Sequence, residues 1–472
     1  MTIEPLTAED AALLYAEAPG VQLQIGALCL FEAAPLRDRR GRLRIAALRS
    51  HVGVRLGALP RFRQRIAPVL GDLASPMWVD DTDFDIARHV KHVALPVPGG
   101  TQSLRELMDH LLGEPMDMAH PLWDIHFVEG IDATRAGGDA VAVVVRAHHV
   151  MADGIALHAA ATLLLDATPH PPRDRAHDWS LDQTPGSLEL TAAAMVERTR
   201  RQTGLAVDVT RLLFDPRRIV PNARLVAQVL GSVGRTPSAI APTLPFTRPV
   251  GRRRAFGWDS LAMADIVAVK RACGATVNDV VLAITTGALR RMMEATGSFD
   301  PTGREPRAII PIGSQDADPS ELHNRFSITS VALPVAVDDP LERVGLIHSR
   351  MHEQLGTSAG RSIMPQLFSI VDVVPPPVLR MVVPRLLAHQ PLVNLAVSNI
   401  PGSRAPLFMW ESPMLALHPF INVVGNVALI IGVLSYVEQL GVGITVDPDV
   451  VGDPDVIAGH LRAALAELMG LL

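Results

Sequence analysis

The chain has 472 residues, 48% hydrophobic and 19% charged, with a formal net charge of -6 and a mean hydropathy of +0.23. Such a length suits two domains of about 200 residues each, and the apolar content excludes a disordered chain. The acidic balance, with no Arg/Lys block interleaved with aromatics, excludes nucleic-acid binding. In chain order, Gln22 to Phe31 reads as a strand, Arg44 to Leu56 as a helix, Met77 to Asp80 and His89 to Leu95 as strands, and Ser103 to Leu112 as a helix. Trp123 to Glu129 and Ala140 to Val145 read as strands, followed by a helix from Gly154 to Leu165, so residues 1–165 form an α/β layer. Residues 166–254 turn polar, Pro-rich and helical, with Pro169, Pro171, Pro172, Pro185, Pro237, Pro242, Pro245 and Pro249 marking a long inter-domain connection. Alternation resumes over 255–472, with helices at Ser260 to Cys273, Ala275 to Glu294 and Pro340 to Leu355 and strands at Arg307 to Pro311 and Ile328 to Pro334: a second α/β domain.

Ser412 to Val437 carries no formal charge and is long enough to suggest a membrane helix of about 20 residues. Pro413, Pro419, Gly425 and Gly432 interrupt it, and its Val/Ile-rich pieces read instead as two or three buried strands in succession. Met1 to Glu9 shows no secretory pattern, which points to a cytoplasmic location. Cys29 and Cys273 sit in apolar contexts without metal or disulfide spacing and are expected as buried, reduced thiols.

The most informative feature is His148-His149-Val150-Met151-Ala152-Asp153-Gly154, just beyond the apolar strand at Ala140 to Val145. Adjacent side chains on a strand face opposite ways, so only one of the two imidazoles can enter a given cavity while the other anchors the loop. A zinc site needs three or four ligands; His158 lies ten residues beyond His148, there is no HExxH and neither cysteine is near, so no metal is expected. A serine hydrolase is not indicated either, because no G-x-S-x-G elbow occurs.

HHxxxDG in an α/β chain of this length resembles the CoA-dependent acyltransferases of the chloramphenicol-acetyltransferase-like superfamily. More specifically, the chain is similar to the bacterial wax ester synthase/acyl-CoA:diacylglycerol acyltransferase family. The likeness covers nearly the whole chain, through Pro5 to Ala11, Gly26 to Glu32, Pro60 to Arg65, Pro121-Leu122-Trp123, Gly274 to Val280, Ser398-Asn399-Ile400-Pro401-Gly402 and Ser435-Tyr436, in the family's order. It implies two chloramphenicol-acetyltransferase-like domains with the active site in a tunnel between them.

By the same resemblance His149 is the general base, removing the proton of an acceptor hydroxyl as that oxygen attacks an acyl-CoA thioester, with no acyl-enzyme intermediate. His148 is its loop neighbour, Asp153 a structural acid paired with an arginine, and Gly154 the residue that permits the turn. Asn278 is the candidate donor to the tetrahedral oxyanion; its other reading is a helix N-cap, a role that suits Asp279. Pro121, Leu122 and Trp123 read as core leading into a strand or as lining of the acyl channel. Ser398 and Asn399 read as a strand end, moved toward the tunnel only by the resemblance. Pro375 to His389, with Arg380 and Arg385, suits an interfacial segment or a kinked surface helix, and Arg252-Arg253-Arg254 suits CoA phosphates or an exposed basic linker.

Departures from the family pattern fall at Ile312-Gly313-Ser314-Gln315, where an Arg-bearing strand end is usual, at His323-Asn324, and at Val437-Glu438 in place of a small residue and Gly. The expectation is an O-acyltransferase moving a long acyl group from acyl-CoA to diacylglycerol, with fatty alcohols as second acceptor, needing no cofactor and working in the cytoplasm or peripherally at a membrane or lipid droplet. The alternatives are the same fold acylating another acceptor, such as a polyketide diol, and a non-catalytic lipid-binding or droplet protein.

Overall fold

β-branched runs bounded by turns supply the strands. In the computed structural model, which describes residues 3–18, 20–131, 139–151, 163–170, 185–214, 240–299, 305–313, 326–356, 371 and 374–472, they assemble into two six-stranded sheets. The first has the order β12 (Phe408–Met409), β13 (Ser412–Ile421), β2 (Gln24–Glu32), β7 (Ala140–His148), β6 (Trp123–Glu129), β5 (Val90–Ala94). Its centre, β7, is Ala-Val-Ala-Val-Val-Val-Arg-Ala-His, pairing antiparallel with β2 on one side and β6 on the other. That composition fits a strand covered on both faces. The second sheet has the order β10 (Phe326–Ala332), β9 (Arg307–Gly313), β11 (Leu395–Ile400), β14 (Leu429–Tyr436), β15 (Gln439–Val446), β8 (Ala255–Ala262), with β11 parallel to both its neighbours. A small third sheet, β1 (Glu4–Pro5), β4 (Met77–Asp80) and β3 (Gln64–Ala67), follows the N-terminal segment.

Helices cover both large sheets. Gly100–Gly113 buries Leu104, Met108, Leu111 and Leu112, one amphipathic stripe, against the first sheet; each fully buried side chain of this kind contributes about 1.5–3 kcal/mol. Val277–Ala295 packs with Pro340–Gly356 and Pro454–Met469 in the core of the second. The chain is thus a mixed α/β protein of two lobes.

The lobes are not built from contiguous halves of the sequence. β12 and β13 come from the C-terminal part of the chain yet complete the first sheet, β13 pairing with β2 from Ile421↔Ile25 to Met414↔Phe31 across one register shift. The same strand lies across β14 and β15 of the second sheet. Glycines permit that crossing: a Cβ on Gly441 would stand 1.8 Å from the Leu417 carbonyl oxygen, and one on Gly443 1.7 Å from that of Pro419. Backbone therefore packs on backbone where a side chain on β15 would hold the sheets apart.

The uncharged stretch from Ser412 to Val437 forms β13 and β14, as its interruptions predict. No single helix among the described residues is long and apolar enough to cross a membrane. Two expectations are corrected. Ser260 to Ala262 belong to β8, not to the following helix, which runs Met263–Cys273; pairing of β8 with Gln439 and Leu440 overrides the local helical pattern. Cys29 is buried as expected, but Cys273 is half-buried at its helix end. The helix expected over Gly154 to Leu165 lies almost wholly outside the described residues. Among the described residues of the connection, Ser187–Phe214 forms a long helix.

Candidate active site

His148 is the last residue of β7 and His149 the first after it. Gln24 of β2 pairs with His148, and the ladder continues one residue further, since the His149 amide donates to the Leu23 carbonyl at 2.7 Å. The His148 amide donates to the Leu122 carbonyl at 2.9 Å, so β2 and the segment before β6 hold the motif from both sides. Strand alternation then separates the two rings. His148 shares the face of Arg146 and Val144 and is fully buried. His149 continues the row of Val143, Val145 and Ala147 and is half-buried.

The His148 ring is locked. Its Nδ1 accepts the Val150 amide proton at 3.1 Å, so the ring proton resides on Nε2, which lies 2.5 Å from Oε1 of Glu17. The same carboxylate oxygen accepts the Leu23 amide proton at 2.9 Å. Sequence reasoning missed Glu17, which lies 131 residues from its partner; a lone glutamate between two alanines carries no local signal of it.

The face bearing Val143 and Val145 opens on an apolar cavity of about 90 Å³, and alternation continued past the end of β7 turns the His149 side chain toward that face. Ile25, Ala27, Cys29 and Phe31, every second residue of β2, form its floor together with Val143 and Val145. Ile400 of β11 and Leu434 of β14 line it from the second sheet, so both lobes contribute to its wall. Among the described residues no charged one lines the cavity, and burial pushes the Cys29 thiol up to about 12.

Short polar contacts hold the wall in place. The Tyr436 hydroxyl donates to the Met414 carbonyl and accepts from the Leu407 amide, each at 3.0 Å, fixing two lining residues. Ser435 Oγ accepts the Gly402 amide at 3.0 Å, and a Cβ on Gly402 would stand 2.0 Å from the Ser435 carbonyl oxygen. The segments Ser398 to Gly402 and Ser435-Tyr436, distant in sequence, thus meet at the rim. Ser398 itself is buried in β11, Asn399 is half-buried, and Ile400 is the residue of that motif that faces the cavity.

The opposite face of the sheet carries a buried ion pair. Arg146 donates from Nε to Asp124 at 3.0 Å and from Nη2 to its second oxygen at 2.7 Å, and donates further to the Leu111 carbonyl. Burial opposes ionisation of Asp124, but His126 at 3.1 Å and the Arg146 guanidinium hold the carboxyl well below the ordinary range.

Pro121, Leu122 and Trp123 serve the motif from behind. Trp123 is buried, stacked on His89 with ring centroids 4.6 Å apart, and its indole donates to the Phe62 carbonyl at 2.7 Å. On β6 it is Ile125 that lines the cavity. Asn278 is the second residue of helix Val277–Ala295, half-buried, with no side-chain hydrogen bond among the described residues. Asp279 is not the N-cap: Thr276 caps the helix, and Asp279 completes a reciprocal capping box with it while lying 2.8 Å from His348 Nδ1. Two of the Arg252-Arg253-Arg254 cluster are already engaged, Arg253 with Asp449 at 2.6 Å and the buried Arg254 with Asn422 at 2.7 Å, while the Arg252 side chain passes close to Gly20. Asp153, Gly154, Gln315 and His323 lie outside the described residues.

Family models match in two segments: residues 6–281 fit the wax ester synthase/diacylglycerol acyltransferase catalytic domain, and residues 322–469 fit the WS/DGAT C-terminal domain. The probable diacylglycerol O-acyltransferase tgs1 of Mycobacterium tuberculosis (strain H37Rv) is 30% identical over 472 residues, covering 99% of this chain and 96% of the relative. A second protein of that strain, with the same activity in its name, is 30% identical over 478 residues, 99% of this chain and 90% of the relative. Among solved structures, the wax ester synthase/diacylglycerol acyltransferase from Marinobacter aquaeolei VT8 superposes with a TM-score of 0.69 at 22% identity over 98% of both chains. The first condensation domain of the calcium-dependent antibiotic synthetase does so with a TM-score of 0.63 at 15% identity, over 99% of this chain and 97% of that one.

Proposed function

The chain belongs to the wax ester synthase/diacylglycerol acyltransferase family and is an acyl-CoA-dependent O-acyltransferase of that type, and we propose that it transfers a long-chain acyl group to diacylglycerol with His149 as general base. The observation that carries this reading is the apolar cavity beside β7, the strand that His149 directly follows. An extended alkyl chain matches a pocket whose floor is Ile25, Ala27, Cys29 and Phe31 and whose lining, among the described residues, bears no charge. Desolvating that chain is the main favourable term in binding, at about 0.8 kcal/mol per buried methylene.

In this mechanism the His149 imidazole removes the proton of the acceptor hydroxyl while its oxygen attacks the thioester carbonyl. The tetrahedral oxyanion collapses, the carbon–sulfur bond breaks, and the leaving CoA thiolate takes the proton from the imidazolium. No bond to the protein forms. General-base assistance of this kind supplies about 10²–10⁴-fold. Asn278, at the first turn of its helix and with its amide uncommitted among the described residues, is the donor to the oxyanion in this reading.

The lipid acceptor is met at a membrane or droplet surface, with the enzyme cytoplasmic and peripheral. Helix Pro376–Ala388 buries Pro376 and Leu379 inward and leaves Val378, Met381 and Leu386 exposed beside Arg380 and Arg385, a pattern suited to an interface. Purified protein given labelled palmitoyl-CoA with diacylglycerol, hexadecanol or butanol tests the assignment. Triacylglycerol with stoichiometric CoA release is the expected product, wax ester from hexadecanol a lesser one, and His149→Ala abolishes both. Full turnover in that variant refutes the base assignment, and turnover confined to butanol refutes the acceptor class.

A further inference from the structure

Glu17 makes two contacts that converge on the backbone of His149. One carboxylate oxygen stands 2.5 Å from His148 Nε2 and accepts the Leu23 amide at 2.9 Å. Leu23 in turn presents its carbonyl to the His149 amide at 2.7 Å, and His148 accepts the Val150 amide on Nδ1 at 3.1 Å. His148 is wholly buried and the Glu17 side chain is 13% exposed, so little water competes with either contact. The residues before and after His149, and the one opposite it, are thereby tied to a single side chain from the turn that follows helix Ala8–Tyr15.

We propose that Glu17 is a positioning residue for His149, clamping β2 to β7 at their ends and fixing His148 as the Nε2-protonated tautomer. This rests on the reading of His149 as the base. The role is one of geometry: two donors, the Leu23 amide and the His148 Nε2–H, require an acceptor oxygen at one point. A glutamine can place its carbonyl oxygen there, whereas an aspartate, one methylene shorter, cannot reach it from the same backbone.

Three variants of the full chain test this, with steady-state kinetics against palmitoyl-CoA and nitrogen-15 NMR of labelled histidines. Glu17→Ala is expected to lower kcat about 100-fold, the cost of misplacing a reacting group by about 1 Å, with KM for palmitoyl-CoA changed less than about threefold, as expected when only transition-state interactions are lost. Glu17→Gln stays within about 10-fold of the parent, while Glu17→Asp falls with Glu17→Ala despite keeping its charge. The Nε2-protonated signature of His148, absent from His148→Ala and thereby assigned, persists in Glu17→Gln and gives way to a tautomer mixture in Glu17→Asp and Glu17→Ala. If Glu17→Ala does not fold, the Gln and Asp pair carries the same contrast.

Glu17→Asp as active as Glu17→Gln, or an unchanged His148 tautomer in both Glu17→Asp and Glu17→Ala, overturns the proposal. Retained turnover in His149→Ala overturns the base assignment instead, and the tautomer readout still reports on Glu17 by itself.

Discussion

The two faces of the first sheet differ although they share the same strands. Toward the second lobe, Ile25, Ala27, Cys29, Val143 and Val145 surround empty space; on the other side Leu28, Ala142 and Val144 are packed against helix Gly100–Gly113, and Arg146 is locked to Asp124. One face borders a cavity and the other is closed by packed side chains and an ion pair. Because neighbouring residues alternate between faces, a doubled histidine at the end of β7 places one ring in each environment. His148 falls on the closed side with both ring nitrogens engaged, while His149, in the turn that follows, is half-buried and by alternation directed toward the open one.

Substitutions on the closed face should act on stability, and those on the open face on substrate choice. The largest effect is expected from Arg146→Met, which strands the Asp124 carboxylate in the interior and should cost about 3–5 kcal/mol in urea unfolding; a loss below about 1 kcal/mol would remove the contrast. On the open face, Ala27→Phe fills the cavity. It should lower kcat/KM for palmitoyl-CoA at least about 10-fold relative to butyryl-CoA, with little change in Tm, and equal losses for both donors would show that the cavity does not hold the acyl chain.

His418 sharpens the comparison on β13, where Leu417 and Pro419 line the cavity and His418 between them is buried. Burial lowers its pKa to about 4, against the opposing pull of the Asp259 carbonyl. The unfolded chain then binds a proton that the folded one refuses, so the stability it contributes is complete above about pH 6.5 and lost as pH falls toward 4. Between pH 7 and 5 this amounts to about 2 kcal/mol, and His418→Asn should flatten that part of the Tm profile. The smallest effect concerns the hairpin at the rim. Val437 adopts φ +52, a left-handed conformation unfavourable for a β-branched residue. Val437→Gly should raise stability by about 0.5–1 kcal/mol by thermal unfolding, leaving the Tyr436 contacts with Leu407 and Met414 intact.

Much of this was legible locally. β6, β7, β14 and the helix at Pro340–Gly356 follow from period and turn residues, and the inequality of His148 and His149 follows from strand alternation alone. The helix expected from Ser260 was misread because β8 is an edge strand whose identity depends on Gln439 and Leu440, nearly 180 residues away. Asp279 looked like a cap because Asp suits that position, yet Thr276 three residues earlier takes it and uses Asp279 as its partner. Glu17 and Arg146 carried no signal, since a lone charged residue reads as surface until its buried partner is known.

What the amino-acid sequence determined by itself is the chemistry at the end of β7: an imidazole pair on a β-branched strand, with the motif order of an acyltransferase around it. Periodicity of two residues dictates that outcome without reference to the rest of the chain. The tertiary structure decided the environment of each ring. It brought β13 from beyond residue 400 into the first sheet, seated that strand on Gly441 and Gly443, and so left a gap between one face of β2 and β7 and the side chains of the second sheet. A cavity is a property of what fails to pack, and that depends on contacts between segments hundreds of residues apart rather than on any local pattern.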